Sequence, residues 1–130
     1  MLHETRFCPT FLIHYNNIIS FFPKSKNQIR KEVLNILERG FGNLIPGFGE
    51  LVIKKERIGL KAYKIGKSGG LRFIYLFVEE KGKLVSLHIY KKGYKQEHKK
   101  VKEIKTNLRK ILEELKNSEC TNILPSDIKR

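Results

Sequence analysis

The sequence predicts an α+β fold: a small, mostly antiparallel sheet with helices from the N-terminal half and one helix at the C-terminal side. Three observations predict it. Apolar residues recur near helical spacing between residues 10 and 39. Two runs rich in β-branched and aromatic residues, Leu71–Glu79 and Leu84–Tyr90, flank the turn Glu80-Lys81-Gly82-Lys83, the pattern of an antiparallel hairpin. A long amphipathic segment then covers about 95–117.

In chain order, residues 3–8 suit a short first strand. Pro9-Thr10 offers a helix start, with Phe11, Tyr15, Ile18, Ile19 and Phe22 near helical spacing, and Pro23 breaks the segment. A second helix fits 25–39, with Ile29, Val33, Ile36 and Leu37 on one face and Gly40 as its C-terminal cap. Residues 40–49 hold four glycines and one proline and read as a loop. Leu51-Val52-Ile53 opens the next strand, which turns charged through Lys54-Lys55-Glu56-Arg57-Ile58. Gly59–Gly70 is a long basic connection into the hairpin. The last helix carries Val101, Ile104, Leu108, Ile111, Leu112 and Leu115 as its core stripe. The order β-α-α-β-β-β-α packs two or three helices on one small sheet. Residues 1–117 make a single domain without internal repeats. Residues 118–130, with Pro125 and few large apolar side chains, read as a flexible tail.

Charge narrows the partner. There are 27 Lys plus Arg against 13 Asp plus Glu, a formal net charge of +14. Residues 1–50 carry 6 basic and 4 acidic side chains, whereas 51–117 carry 19 and 7. A surface enriched in both signs would not give this imbalance. The excess predicts attraction to a polyanion, weakening as salt rises. Cys8 and Cys120 are far apart and in no ligand spacing, which argues against a disulfide framework and against a zinc site, with a reducing cytoplasm as the expected compartment. The apolar N-terminus is interrupted by Glu4, Arg6, His14, Asn16 and Asn17, so neither a signal peptide nor a bilayer-spanning segment is expected.

The clearest place for a phosphate is Gly66-Lys67-Ser68-Gly69-Gly70-Leu71-Arg72. Glycines allow close backbone approach, and Lys67 and Arg72 are cations at its mouth. Lys54, Lys55, Arg57, Lys61, Lys64 and Lys67 fall within 14 positions, with Tyr63 interleaved for base stacking. A second cluster follows the hairpin: Tyr90, Lys91, Lys92, Tyr94 and Lys95. Antiparallel pairing sets Arg72 near Tyr90 and Lys92, so three basic pieces converge at one end of the sheet and suit an RNA backbone with an unstacked base. Lysine runs are also ordinary solvated surface, the expected role of Lys99, Lys100, Lys102, Lys105 and Lys110. Arg72 interrupts an apolar strand, so it is either a phosphate ligand or half of a buried ion pair.

Other chemistries lack their pattern. Lys67-Ser68 is followed by a strand rather than the helix of a triphosphate loop. The histidines show no ligand spacing; His88 is mid-strand and structural, and His98 is either a proton shuttle or a surface helix residue. No Ser-His-Asp arrangement is visible, and the acidic residues are too scattered for a metal-dependent nuclease. No cofactor is expected.

Over about residues 45–116 the chain resembles the RelE/ParE toxin superfamily, most nearly its HigB-type, RelE-like branch. The likeness rests on Gly66–Tyr75, on Ile89-Tyr90-Lys91-Lys92, on the basic Lys54-Lys55-Glu56-Arg57 and on the amphipathic last helix. It implies a microbial-ribonuclease-like fold and a type II toxin: a metal-independent endoribonuclease that cuts mRNA, usually at the ribosome, with the 2′-hydroxyl as nucleophile, and is neutralised by a cognate antitoxin. By position, Lys67 and Arg72 would contact the scissile phosphate, with Lys92 beside them. Lys54, Lys55 and Arg57 would hold the RNA backbone, and Lys61, Lys64, Tyr90, Lys91 and Lys95 would extend that surface. The chain departs from the family after Lys92, where Gly93 and then Tyr94 stand. Tyr94 is the candidate for proton transfer, assisted by a lysine. Two other functions share this fold: a ParE-like toxin that inhibits DNA gyrase without cutting RNA, and a catalytically inactive RNA-binding module.

Overall fold

The computed structural model describes residues 4–93 and 97–125, apart from the side chains of 97–99. It is an α+β fold with a mixed sheet of five strands. The elements are β1 (Glu4–Arg6), α1 (Pro9–Phe21), α2 (Lys26–Arg39), β2 (Asn43–Leu44), β3 (Val52–Ile58), β4 (Leu71–Val78), β5 (Lys83–Lys91) and α3 (Glu97–Lys116). The sheet order is β1-β5-β4-β3-β2; β1 is parallel to β5 and every other pair is antiparallel. No helix among the described residues is long and apolar enough to cross a membrane.

The expected elements form for local reasons. Pro9 occupies the first turn of α1, where its missing N–H costs nothing. Gly40 ends α2 in a left-handed conformation (φ 68°), and its N–H bonds the Ile36 carbonyl at 2.8 Å. The hairpin of β4 and β5 closes through one 3-10 turn, Glu79–Lys81, followed by Gly82 at φ 61°. The unexpected strand is β2. Its two residues pair with Lys54 and Lys55, but both are exposed, so no burial pattern marks it in the sequence.

The apolar faces of α1 and α2 meet the sheet in a core with Phe7, Phe11, Tyr15, Phe73 and Tyr75 among its largest side chains. Phe11 contacts Phe7, Tyr15 and Phe73, with ring centroids 5.9–6.2 Å apart. The buried Tyr75 hydroxyl donates to the Phe41 carbonyl at 2.7 Å, and burial pushes its pKa up to about 12. On α3, Ile104, Leu108 and Ile111 are buried, whereas Leu112, expected in the same stripe, is 46% exposed. The stripe is wider than the surface the sheet and α1 present to it.

Two expectations about the C-terminal side need correction. Cys8 and Cys120 form a disulfide across a sequence separation of 112. The stretch expected to be loose from residue 118 is tied down as far as Leu124. Thr121 pairs with Phe7 through two backbone hydrogen bonds, Leu124 is buried, and Arg30 donates to the Leu124 carbonyl at 3.1 Å. Residues 126–130 lie outside the described residues. Spacing along the chain could not announce this pairing, because it follows from where β1 and the end of α3 lie in space.

Candidate functional site

The basic connection between β3 and β4 folds into two separate turns. Leu60 and Ile65 pair with each other through backbone bonds of 2.8 and 3.1 Å, enclosing a 3-10 turn at Lys61–Tyr63. This first lobe leans on α2. The Gln28 amide donates to the Gly59 carbonyl at 2.8 Å and accepts from the Lys61 backbone N–H at 3.1 Å. The Tyr63 ring stands edge-on to Phe22 at 5.2 Å, and its hydroxyl accepts from the Lys24 N–H at 3.1 Å. Tyr63 is thus a packing residue rather than an open stacking platform. Lys61 lines a broad open hollow of about 890 Å³ along α2, with Gln28, Arg30 and Lys31. This hollow does not lie at the loop singled out from the sequence. Lys64 is exposed in a left-handed conformation (φ 58°).

The second turn, residues 66–70, is the candidate anion loop, and Arg72 builds it. One guanidinium nitrogen donates to the Lys67 carbonyl at 3.0 Å and to the Leu71 carbonyl at 3.2 Å, and the other donates to the Ser68 carbonyl at 2.9 Å. Arg72 is only 6% exposed. It is a buried clamp on the carbonyls of its own loop, which corrects its reading as an open phosphate ligand. The planar fork explains the choice of arginine, since one side chain can satisfy several carbonyls that turn inward. Gly70 is required by packing. A Cβ there would fall 2.1 Å from the Ile58 carbonyl oxygen. The Gly70 carbonyl accepts from the Lys92 N–H at 2.9 Å, fastening the end of β5 to the loop.

The strand register brings the basic pieces together. Arg57 lies opposite Arg72 and Arg72 opposite Tyr90, so these three form one cross-strand row. Lys55, Ile74 and His88 form the next row on the same face. Lys54 and Lys91 alternate to the other face. Lys54 donates to the Gly40 carbonyl at 3.2 Å, at the end of α2, and Lys91 donates to the Lys92 carbonyl at 3.4 Å. Lys67 and Arg57 are exposed, and Lys92 is half-buried. Tyr94 and Lys95 lie outside the described residues.

Tyr90 does not offer a bare ring. It is 6% exposed, with the His88 ring centroid 5.2 Å away and the Lys100 ammonium 4.8 Å from its own centroid. The expectation that Tyr90 stacks on a base is corrected, because α3 brings Lys100 onto it. Lys100, expected to be plain surface, also pairs with Glu103 at 3.3 Å. Glu103 in turn holds the Nε2 atom of His88 at 3.0 Å. Burial pulls the His88 pKa down to about 4, outweighing the hydrogen bond to Glu103. Burial works against the charge of Glu103, yet His88 and Lys100 hold its carboxyl below the usual range. His88 is therefore neutral at pH 7, donating from Nε2, and its buried Nδ1 has no hydrogen-bond partner among the described residues. His14 packs on it at 4.5 Å between ring centroids. The structural role expected for His88 fits this geometry. The signal available in the sequence was the Lys100–Glu103 spacing on one helix; nothing local pointed to Tyr90.

No protein-family model matches the sequence, and no curated protein matches it significantly. Solved structures do match. A double arginine-to-alanine mutant of the Escherichia coli toxin RelE in the free state is similar at a TM-score of 0.54 and 18% identity, over 85% of this chain and 98% of that one. The crystal structure of the isolated E. coli RelE toxin is similar at 0.50 and 18%, over 78% and 96%. The chain thus has the RelE-type toxin fold.

Proposed function

We propose that this chain is the toxin of a type II toxin–antitoxin module, an endoribonuclease that cuts mRNA at the ribosome without a metal ion and is neutralised by a cognate antitoxin. The observation that carries the reading is the convergence of Arg57, Lys67, Arg72 and Lys92 at one end of a RelE-type sheet. Cations gathered there suit a phosphate that gains negative charge as the 2′-hydroxyl attacks. In this reading Lys67 and Lys92 contact the scissile phosphate. Arg72 shapes the loop that presents them and adds its own charge. Lys55 and Arg57 steer the backbone along β3, with Lys54, Lys61, Lys64, Lys91 and Lys95 supplying longer-range attraction. Proton transfer falls to Tyr94.

The test is expression of the chain alone, followed by mapping of mRNA ends. Growth should arrest with new 5′ ends inside translated messages, and Lys67→Ala should suppress both. Normal growth with soluble protein accumulating would refute the toxin reading. A second reading, a toxin that inhibits DNA gyrase without cutting RNA, is favoured by one observation: His88 is committed to Glu103 and Tyr90 is buried, so neither serves as the acid or base. Growth arrest with intact messages and inhibited supercoiling would select it.

A further inference from the structure

At the opposite end of the sheet from the loop lies a second groove, of about 600 Å³, bounded by β1, the β4–β5 turn and the last turns of α3. Four cations line it: Arg6, Lys81, Lys83 and Lys116. Arg6 is partly neutralised by Glu4 at 3.3 Å. Leu112, left exposed by the core, forms part of the apolar floor, and Cys120 lines the same groove.

The two cysteines of the disulfide are not equivalent. Cys8 is fully buried (0% exposed), while Cys120 is half-buried at the groove. Cys8 also occupies the N-cap position of α1, a helix of 13 residues. A thiolate released there sits against the positive end of the helix. Glu114, whose carboxylate lies within 4.8 Å of the sulfurs, opposes such a charge, but it is engaged by the Thr10 N–H and hydroxyl.

We infer that this groove is a thiol–disulfide exchange site for a small anionic thiol, which attacks Sγ of Cys120. The incoming thiolate forms a bond to that sulfur while the Cys8–Cys120 bond breaks, and the electron pair leaves on Sγ of Cys8. The proton lost by the incoming thiol to water is matched by the one Cys8 takes up. A second equivalent of thiol completes a two-electron reduction, giving two cysteines and the oxidised thiol. The groove's cations concentrate the anionic reagent, and its lining presents half-buried Cys120 rather than buried Cys8.

The test uses the purified, oxidised full chain and three thiols on the same two-carbon frame: mercaptoethanesulfonate (anionic), mercaptoethanol (neutral) and cysteamine (cationic). Rates are normalised to thiolate concentration, with acid quenching and mass spectrometry to locate the adduct. The anionic thiol should react about tenfold faster than the cationic one at low salt, with the gap closing at high salt and the adduct on Cys120. The pair Lys83→Glu and Lys116→Glu should erase the preference, whereas Lys24→Glu and Lys31→Glu, a remote pair of equal charge, should leave it. The Cys8→Ser variant gives a second measurement, since its free Cys120 should show the same order of rates with the disulfide forms of the probes. Equal rates for the three thiols, an adduct on Cys8, no reaction at large excess, or an equal effect of the remote pair would each overturn the inference.

Discussion

The two ends of the sheet are closed by different kinds of bond. At the loop end, Arg72 reaches back four and five residues to the carbonyls of Ser68 and Lys67. At the other end, β1 is a three-residue parallel edge strand, too short to hold itself. It is fixed by chain that comes more than a hundred residues later. Cys8 bonds Cys120, Phe7 pairs with Thr121, and the Thr5 hydroxyl donates to the Asn122 carbonyl at 3.3 Å. The comparison teaches that local closure suits a loop that must present backbone and cations to a ligand. Remote closure instead holds the terminal segments against the core.

The disulfide end should show the largest effect. Cys8→Ser with Cys120→Ser should cost about 2–5 kcal/mol by denaturant unfolding, since the bond closes a very long loop in the unfolded chain. A loss under about 1 kcal/mol would mean that the hydrogen bonds and Leu124 hold the terminal segments unaided, and the contrast between the two ends would collapse.

Arg72→Ala comes next. It strips a charged donor from three carbonyls, with an expected loss of about 2–3 kcal/mol and a lowered melting temperature. Arg72→Lys should recover only part, because a point charge cannot serve several carbonyls as the fork does. An alanine variant that melts like wild type but no longer holds RNA would show that Arg72 contacts phosphate rather than clamping the loop.

The third effect is set by pH. The folded pKa of His88 lies near 4, below its ordinary 6.5, so the unfolded chain binds a proton first as pH falls. Stability should therefore decline from about pH 6.5 down to pH 4, by roughly 2–3 kcal/mol for this group. His88→Gln keeps a donor for Glu103 without titrating and should flatten that slope in a series of melts. An unchanged slope would place the acid sensitivity elsewhere.

The smallest stability effect belongs to Lys67→Ala. Its side chain is exposed, so the change should stay within about 0.5 kcal/mol. Its effect on RNA should still be measurable. With about five phosphates contacted, the log–log salt slope for single-stranded RNA is near −3.5, and losing one contact should bring it to about −2.8. A slope that stays put would remove Lys67 from the site.

Much of the fold was legible because its signals are local. Gly40, Pro9, Pro23 and the Glu80–Lys83 turn punctuate the chain within a residue or two of the observed boundaries. The candidate site was partly legible. Hairpin pairing alone set Arg72 beside Tyr90 and near Lys92. What the arginine does with its donors was not readable, since the inward turn of the Lys67 and Ser68 carbonyls depends on the path of the loop.

By itself the sequence determined the α+β class, the helices, the antiparallel hairpin and the cationic glycine-rich loop feeding it. Periodicity, caps and turns act over a few residues, and their physics is written in neighbouring side chains. Only the tertiary structure decided that Cys8 meets Cys120, that Lys100 covers Tyr90, that Leu112 stays exposed and that Arg72 is buried. Each of these depends on which distant surfaces the chain brings face to face, and no local pattern carries that information.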